Sequence, residues 1–192
     1  DNQLIGGGSI VSYDGEFGFM GFFIVRPDYR SQGLGRKIWF FRRDTLLARL
    51  TSDAVIGMDG VVDMQHFYQQ GGFEIAFRDE RYQRFGAAFP PNARISRFST
   101  TDFDAVQSYD HQCFGFARER FLRAWTQQTQ GQTLLYRDQG QLQGYAVIRQ
   151  CVTGFKIGPL FADTPSIARS LYEACLGLAI DQPVYLDIPT CN

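Results

Sequence analysis

Val25 to Arg36 reads V-R-P-D-Y-R-S-Q-G-L-G-R. An apolar run, Phe19 to Val25, leads into it, and a helical pattern, Leu34 to Leu50, leads out. A strand, a turn holding Gly33 and Gly35, and then a helix gather several backbone N–H groups at one helix start. Those first N–H groups have no partner inside the helix, and the helix dipole adds positive potential, so the turn suits a phosphate. The two glycines remove Cβ atoms that would block close approach. Arg30 and Arg36 put fixed positive charge at both ends of the turn. A cation in the first turn of a helix opposes the dipole unless an anion is bound. That sets Arg36 apart from Lys37, Arg42 and Arg43, which read as the solvated face. The stretch is neither common nucleotide loop: the dinucleotide fingerprint needs a third glycine, and the triphosphate loop needs Gly-Lys-Ser/Thr. The plainer alternative is a glycine-containing surface turn.

Around this turn the first half reads as alternating strand and helix. Leu4 to Tyr13 predicts a strand, Asp14-Gly15 a hairpin turn, and Phe17 to Val25 the returning strand. The unbroken apolar character of that second strand predicts a central position with both faces buried, ending before Pro27. On the helix, Leu34, Ile38, Phe41, Thr45 and Ala48 form the packed stripe, with Leu46 and Leu50 beside them. Ala54 to Val62 predicts a strand ending in a loop, and Met64 to Gln70 a short helix closed by Gly71-Gly72. Phe73 to Phe77 and Arg81 to Phe85 predict a closing hairpin around Asp79-Glu80.

Two motifs in this order carry a family resemblance. Arg30, Gly33 and Gly35 form R-x-x-G-x-G after F-F-I-V, and Tyr68-Gln69-Gln70-Gly71-Gly72-Phe73 forms Y-x-x-x-G-F. Joined by helix, strand and helix, they resemble the GCN5-related N-acetyltransferases (GNAT). The resemblance implies acetyl-CoA as cosubstrate, with no metal. Its binding residues would be Phe23, Ile24, Val25, Arg30, Ser31, Gln32, Gly33, Leu34, Gly35 and Arg36. Backbone N–H groups near Ile24 or Val25 would polarise the thioester carbonyl. Tyr68 would act as general acid towards the departing thiolate; its other reading is a packed helix aromatic. Many members carry a glutamate on the strand before the turn, and here Phe19 to Val25 holds no acid. Many also have Asn seven residues before the tyrosine, where this chain has Val61. The base is therefore open between Asp59, Glu16 and His66, each of which also reads as a turn or surface residue.

Phe89-Pro90-Pro91-Asn92 signals a linker, giving expected domains of 1–88 and 94–192 around a 89–93 connection. The second half predicts a strand at Ile95 to Phe98 and a helix from Asp104 to Phe114, with Asp102 as N-cap. A helix from Ala117 to Gln127 follows. Strands come next at Thr133 to Arg137, Leu142 to Gln150 and Gly154 to Phe161. A helix from Pro165 to Ile180 and a strand at Val184 to Ile188 complete it. That order resembles an acetyltransferase domain from its first strand to its fifth. The first half supplies the order only from the hairpin onward. The resemblance thus implies an α/β (α+β) chain with mixed central sheets flanked by helices. It also implies two tandem copies, the first lacking its front and the second its back. D-H-Q-C-F-G-F-A-R, with Asp110 and Arg118 at its ends, and the stretch around Gly144, Arg149, Lys156 and Pro159 resemble the C-terminal domain of one bacterial branch of such proteins. This second copy is degenerate: Ala162-Asp163-Thr164-Pro165-Ser166 has no glycine pair and no arginine, and Asp163 would repel a pyrophosphate. It is expected to wall off the acceptor site instead, with Arg118, Arg149 and Lys156 facing an acidic acceptor group, or else serving as ordinary surface charge.

Composition narrows the partners. Nineteen basic and 20 acidic residues in 192 argue against nucleic acid, which asks for a basic face. Cys113, Cys151, Cys175 and Cys191 form no C-x-x-C pair, which argues against zinc and thioredoxin-like chemistry and for reduced thiols in the cytoplasm. No run has transmembrane length and no signal peptide is visible, so no membrane partner is expected. The chain opens in strand sequence without Met, so residues are expected before Asp1, and the end at Thr190-Cys191-Asn192 is abrupt. If Asp1 is the true start, an exposed sheet edge favours a homodimer. The function expected is transfer of an acetyl group from acetyl-CoA to a small-molecule amine. The alternative is a non-catalytic CoA-sensing or interaction module on the same fold.

Overall fold

The structure is a computed structural model that describes residues 3–191; Asp1, Asn2 and Asn192, the tips of the expected domains, lie outside the described residues. The chain divides into two compact units, Asp1–Ile75 and Ala76–Asn192.

In the first unit, β1 (Gly6–Tyr13) and β2 (Phe17–Val25) pair antiparallel. The turn between them has Asp14 at φ 49° and Gly15 at φ 85°. Asp-Gly accepts this left-handed pair, whose twist matches that of a hairpin. Helix α1 (Leu34–Leu47) crosses over to β3 (Val55–Met58), which pairs parallel with β2, so β2 is central as expected. Two expectations fail here. Strand β2 is not buried along its length: Met20 is 1% exposed, whereas Phe22 is 83% and Ile24 65% exposed. The pairing with β3 stops at Met20↔Met58, and beyond it one edge of β2 is open. The buried stripe of α1 is Trp39, Arg42 and Leu46, while Phe41 is 73% exposed. Arg42 is what displaces the stripe, because an apolar count puts any arginine outside. Helix α2 (Gln65–Gln69) follows β3. Gly72, at φ 88°, ends it in the left-handed conformation that only glycine adopts freely. The core gathers Met20, Trp39 and Leu46, with Ile10, Phe67 and Phe73 against them.

The second unit is a mixed sheet in the order β4-β9-β8-β7-β6-β5. Its strands are β4 (Asp79–Phe85), β5 (Ile95–Arg97), β6 (Gly131–Asp138), β7 (Gln141–Gln150), β8 (Phe155–Ala162) and β9 (Pro183–Pro189). Helices α3 (Phe103–Phe114) and α4 (Glu119–Thr126) precede β6, and α5 (Pro165–Gly177) links β8 to β9. Alternation along the central strands explains the layering. Leu134, Ala146 and Ile148 face Ile167, Leu171 and Cys175 of α5. Leu135, Tyr145 and Val147 face Phe103, Val106 and Leu122 of α3 and α4. A 3-10 turn, Thr100–Asp102, leads into α3 and is fastened by a capping box in which Asp102 accepts from the backbone N–H and the hydroxyl of Ser99; Asp102 is the N-cap residue of α3, as expected, but its side chain caps the turn rather than the helix.

The closing hairpin of the first half does not form. Strand β4 pairs antiparallel with β9, from Asp79↔Pro189 to Phe85↔Pro183. Two contacts account for this. Phe73 is drawn edge-on against Trp39 at 5.7 Å, and residues 73–77 form no strand. Arg81 forks onto Asp187 of β9 at 2.8 and 2.9 Å. The boundary therefore falls after Ile75 rather than at 88, and the expected linker 89–93 joins two strands of one sheet. Among the described residues no helix is long and apolar enough to cross a membrane.

Candidate functional site

A cleft of about 770 Å³ lies in the first unit, along the open edge of β2 and over the start of α1. Three features of the sequence build it. The first is a bulge. Gly7 pairs with Ile24 and Ser9 with Gly21, so Phe22 and Phe23 together oppose Gly8. Phe22 has φ 40°, a left-handed value that a phenylalanine holds only under constraint. The extra residue bends β2 and interrupts its ladder, which is why β2 and β3 part beyond Met20.

The second feature is the glycine turn. Gly33 is the N-cap of α1 at φ 75° and offers no side chain to cap it, so the first N–H groups of the helix stay available. A Cβ built on Gly33 would meet nothing within 4 Å: glycine is here for its backbone angle, and the space above it is open to a ligand. Gly35 sits closer in, where an added Cβ would reach Val25 at 3.4 Å. Arg30 donates from Nε to the Val25 carbonyl at 2.9 Å and lines the cleft. Arg36 also lines it, donating from Nη1 to Gln70 at 2.9 Å and lying 4.8 Å from the Phe40 ring. An uncapped helix start, a left-handed glycine, two guanidinium groups and an open strand edge fit the phosphates and amide-bearing arm of coenzyme A.

The third feature is Tyr68 on α2. Its ring stacks on Trp39 at 6.3 Å, and a Cβ on Gly60 would strike it at 2.7 Å. Among the described residues its phenol makes no hydrogen bond, and burial pushes its pKa up, so it is held protonated at neutral pH. Asp59, just past β3, lines the same cleft and is its one carboxylate among the described residues. The two other base candidates lie off the cleft. Glu16 sits in the β1–β2 turn, its N–H bonded to the Tyr13 carbonyl, and His66 is exposed beside Gln70.

Of the ten residues expected to bind the cosubstrate, Phe23, Ile24, Val25, Arg30, Ser31, Gly33, Gly35 and Arg36 line the cleft. Gln32 and Leu34 do not; Gln32 turns its amide back onto the Asp28 carbonyl at 3.0 Å. Sequence reasoning missed Trp39 and Arg42, which line the cleft from the buried stripe of α1. The signal was Trp39-x-x-Arg42-x-x-x-Leu46, a helical spacing obscured by the charge at its centre.

The three cations expected to face an acceptor are engaged within the second unit. Arg118 is buried and forks onto Asp110 at 2.8 and 2.6 Å, with the Tyr145 hydroxyl on the same carboxylate. Its guanidinium also lies 3.6 Å from the centre of the Phe114 ring. It belongs to the core, not to a binding surface. Lys156 donates to Asp187 at 2.6 Å, beside the Arg81 fork. Arg149 lies over the Trp125 ring at 5.4 Å and donates to the Cys151 sulfur at 3.3 Å.

The sequence matches the Acetyltransferase (GNAT) family over residues 1–73 and an Acetyltransferase (GNAT) domain over residues 106–192. The chain belongs to the GNAT superfamily. Among curated proteins, this GNAT chain is 23% identical over 190 residues to a holothin acyltransferase of Pseudoalteromonas sp. (strain SANK 73390), covering 96% of the chain and 62% of that protein. It is 24% identical over 193 residues to the uncharacterized N-acetyltransferase YitH of Bacillus subtilis (strain 168), covering 95% of the chain and 66% of that protein. The chain thus spans about two thirds or less of the length of these two relatives. A solved structure from Pyrococcus horikoshii, provisionally assigned as an acetyltransferase, superposes with a TM-score of 0.79 at 21% identity. It covers 98% of this chain and 61% of its own. A tandem GNAT protein from the clavulanic acid biosynthesis pathway superposes with a TM-score of 0.58 at 12% identity, over 98% of this chain and 71% of its own. These superpositions establish a GNAT fold, mixed sheets flanked by helices.

Proposed function

We propose that this chain transfers an acyl group, acetyl in the first instance, from acyl-coenzyme A to the amine of a small molecule. One observation carries the reading: the open edge of β2, the uncapped start of α1 and the Tyr68 phenol border one cleft. The names of the two curated relatives, an acyltransferase and an N-acetyltransferase, agree with it. Acyl-CoA supplies a thioester whose carbonyl an amine can attack and whose sulfur then leaves. The N–H groups at Gly33 to Arg36 hold the phosphates, and Arg30 and Arg36 balance their charge. Backbone N–H groups on the free edge of β2 stabilise negative charge as it develops on the carbonyl oxygen. Tyr68, held neutral, gives its proton to the sulfur. Asp59 is the group in this cleft suited to take the proton that the amine loses. The cleft accelerates the reaction further by holding both partners together.

The test is calorimetric titration with acetyl-CoA. Gly33→Glu adds a carboxylate at the phosphate position and should weaken binding by at least ~100-fold. Gly33→Asn is the control, because asparagine tolerates the left-handed angle; it should bind within about tenfold of the parent. Equal binding by the parent and by the folded Glu variant would sink the assignment of the turn. A second reading, a CoA-sensing module without turnover, draws on the absence of an acid from β2. Release of free thiol in the presence of any amine excludes it.

A further inference from the structure

Arg42 is buried, 7% exposed, on the face of α1 that packs against the sheet. Its Nη2 donates to the Ser9 carbonyl of β1 at 2.5 Å and to the Gly21 carbonyl of β2 at 2.6 Å. Those carbonyls flank the place where β1 and β2 lose register, with Phe22 and Phe23 set against Gly8. Gly8 is shaped to the guanidinium: an added Cβ would come within 2.3 Å of Arg42 Cζ and of the Phe22 carbonyl oxygen. The cation also lies 5.4 Å from the Phe23 ring. Its Nε and Nη1 are buried without a hydrogen-bond partner among the described residues. Burying a cation whose donors are incompletely paired is unfavourable, and a leucine would fill the same stripe without that cost. The position therefore asks for a role that only the guanidinium fills. Nε and Nη1 are sealed from solvent, which argues against a ligand-binding role for them.

We propose that Arg42 is a positioning residue that clamps the β2 bulge from behind, fixing the free edge along which the acyl group is held. Two effects follow from the geometry. Bridging carbonyls on both strands holds Phe22 in its left-handed conformation and keeps β2 parted from β3. A hydrogen bond accepted by a peptide carbonyl also polarises that peptide and strengthens its own N–H as a donor. For the Gly21 carbonyl that N–H belongs to Phe22, the first residue of the bulge. The cation is thus coupled through one peptide unit to the strand that borders the reacting carbonyl. The catalytic consequence rests on the acyltransferase reading; the clamp itself does not.

The experiment is amide hydrogen exchange on the full chain, comparing the parent with Arg42→Gln, Arg42→Lys and Gly8→Ala. Exchange in Gly21 to Val25 should quicken at least tenfold in Arg42→Gln and Gly8→Ala, the size expected for losing a charge-assisted hydrogen bond. Arg42→Lys, which keeps a donor and the charge, should fall between. Amides of β7 and α5 in the other unit serve as the internal standard and should not change. Unaltered exchange at Gly21 to Val25 in these variants overturns the clamp. Gly8→Ala and Arg42→Lys keep that comparison available if Arg42→Gln fails to fold. Turnover adds the catalytic readout: kcat should drop roughly 10- to 100-fold in Arg42→Gln with KM for acetyl-CoA within about threefold, and partly recover in Arg42→Lys. Faster exchange with kcat unchanged overturns the catalytic consequence while leaving the clamp. A parent protein that acylates no amine defeats the acyltransferase reading instead, and the exchange comparison still decides the clamp.

Discussion

Removing one oxygen atom, in Tyr68→Phe, separates the chemistry of the cleft from its architecture. The Tyr68 ring is held by stacking on Trp39 at 6.3 Å and by the space that Gly60 leaves, and a phenylalanine keeps both. The hydroxyl makes no hydrogen bond among the described residues, so the folded state should change by less than about 0.5 kcal/mol, as for substitutions that break no buried contact. A rate loss then reports on proton donation. General acids contribute ~10²- to 10⁴-fold, or about 2.7–5.5 kcal/mol at ~1.36 kcal/mol per tenfold. Burial raises the phenol above its ordinary value of 10.0, so the group stays protonated across the neutral range. An acid that must be protonated loses activity as pH rises through its pKa. The parent should therefore hold its rate through pH 9 and show an alkaline limb above pH 10. The variant should show a lower rate and no such limb. The assay is release of free CoA thiol against acetyl-CoA and an excess of a reactive amine, with KM for acetyl-CoA expected to stay within about threefold. A variant that keeps kcat within about threefold of the parent would refute the acid role and return Tyr68 to being a packed aromatic.

Two predictions concern stability. Asp187 is held well below the usual carboxylate range, chiefly by its hydrogen bonds from Arg81, with Lys156 adding to the effect against the cost of desolvation. A depressed pKa contributes stability above the unfolded value of about 3.9 and loses it as pH falls towards the folded one. Urea midpoints of the parent and Asp187→Asn should thus differ at pH 7, and the difference should begin to shrink only below about pH 3.9 and go on shrinking as pH falls towards the folded value; a difference independent of pH would contradict this. Arg118→Met leaves Asp110 buried beside Tyr145 without its counter-ion, and should destabilise the fold by about 3–5 kcal/mol in chemical denaturation. A loss under about 1 kcal/mol would show that the pair is replaceable by apolar packing.

Much of this architecture is legible in the sequence because the local signals agree with one another. Asp14-Gly15 fixes a hairpin, Gly33 the start of α1, and Gly72 the end of α2, and each adopts the positive φ that its residue type favours. The features that were not legible depend on contacts distant in sequence. A bulge in β2 cannot be read from F-M-G-F-F-I-V, since it exists only in the register against Gly8. Arg42 looks solvated when its helix is taken alone, and becomes buried only because two carbonyls on different strands need a donor. The true partner of β4 is hidden for a similar reason: its pairing with β9 spans about a hundred residues, whereas proximity in sequence favours Phe73 to Phe77. In the Tyr68-to-Phe73 motif the glycines have packing duties as well as the tyrosine its proposed chemistry. A Cβ on Gly71 would lie 2.0 Å from the Trp39 indole. The motif therefore couples the proposed acid to the core beneath it.

The two halves of the chain present comparable strand-to-helix turns, and physical chemistry separates them. In the first, Gly33 brings no side chain to the start of α1, leaving the N–H groups of the opening turn to a ligand. In the second, β8 runs through Asp163 and Thr164 into α5. Pro165 has no N–H, and the Thr164 hydroxyl accepts the Ile167 N–H at 3.3 Å. Asp163, bonded by the Tyr109 hydroxyl at 2.6 Å, adds a carboxylate at the same spot. One turn leaves its opening N–H groups without a side-chain cap, and the other is already capped and carries an acid. We therefore expect one acetyl-CoA per chain in calorimetry, with all binding lost in Gly33→Glu. Thr164→Gly should remove the α5 cap, costing about 1 kcal/mol of stability, without creating a second site while Asp163 and Pro165 remain. Two equivalents per chain, or one that survives Gly33→Glu, would mean that the β8–α5 turn or another surface binds the phosphates. The contrast drawn between the capped and uncapped helix starts would then fail.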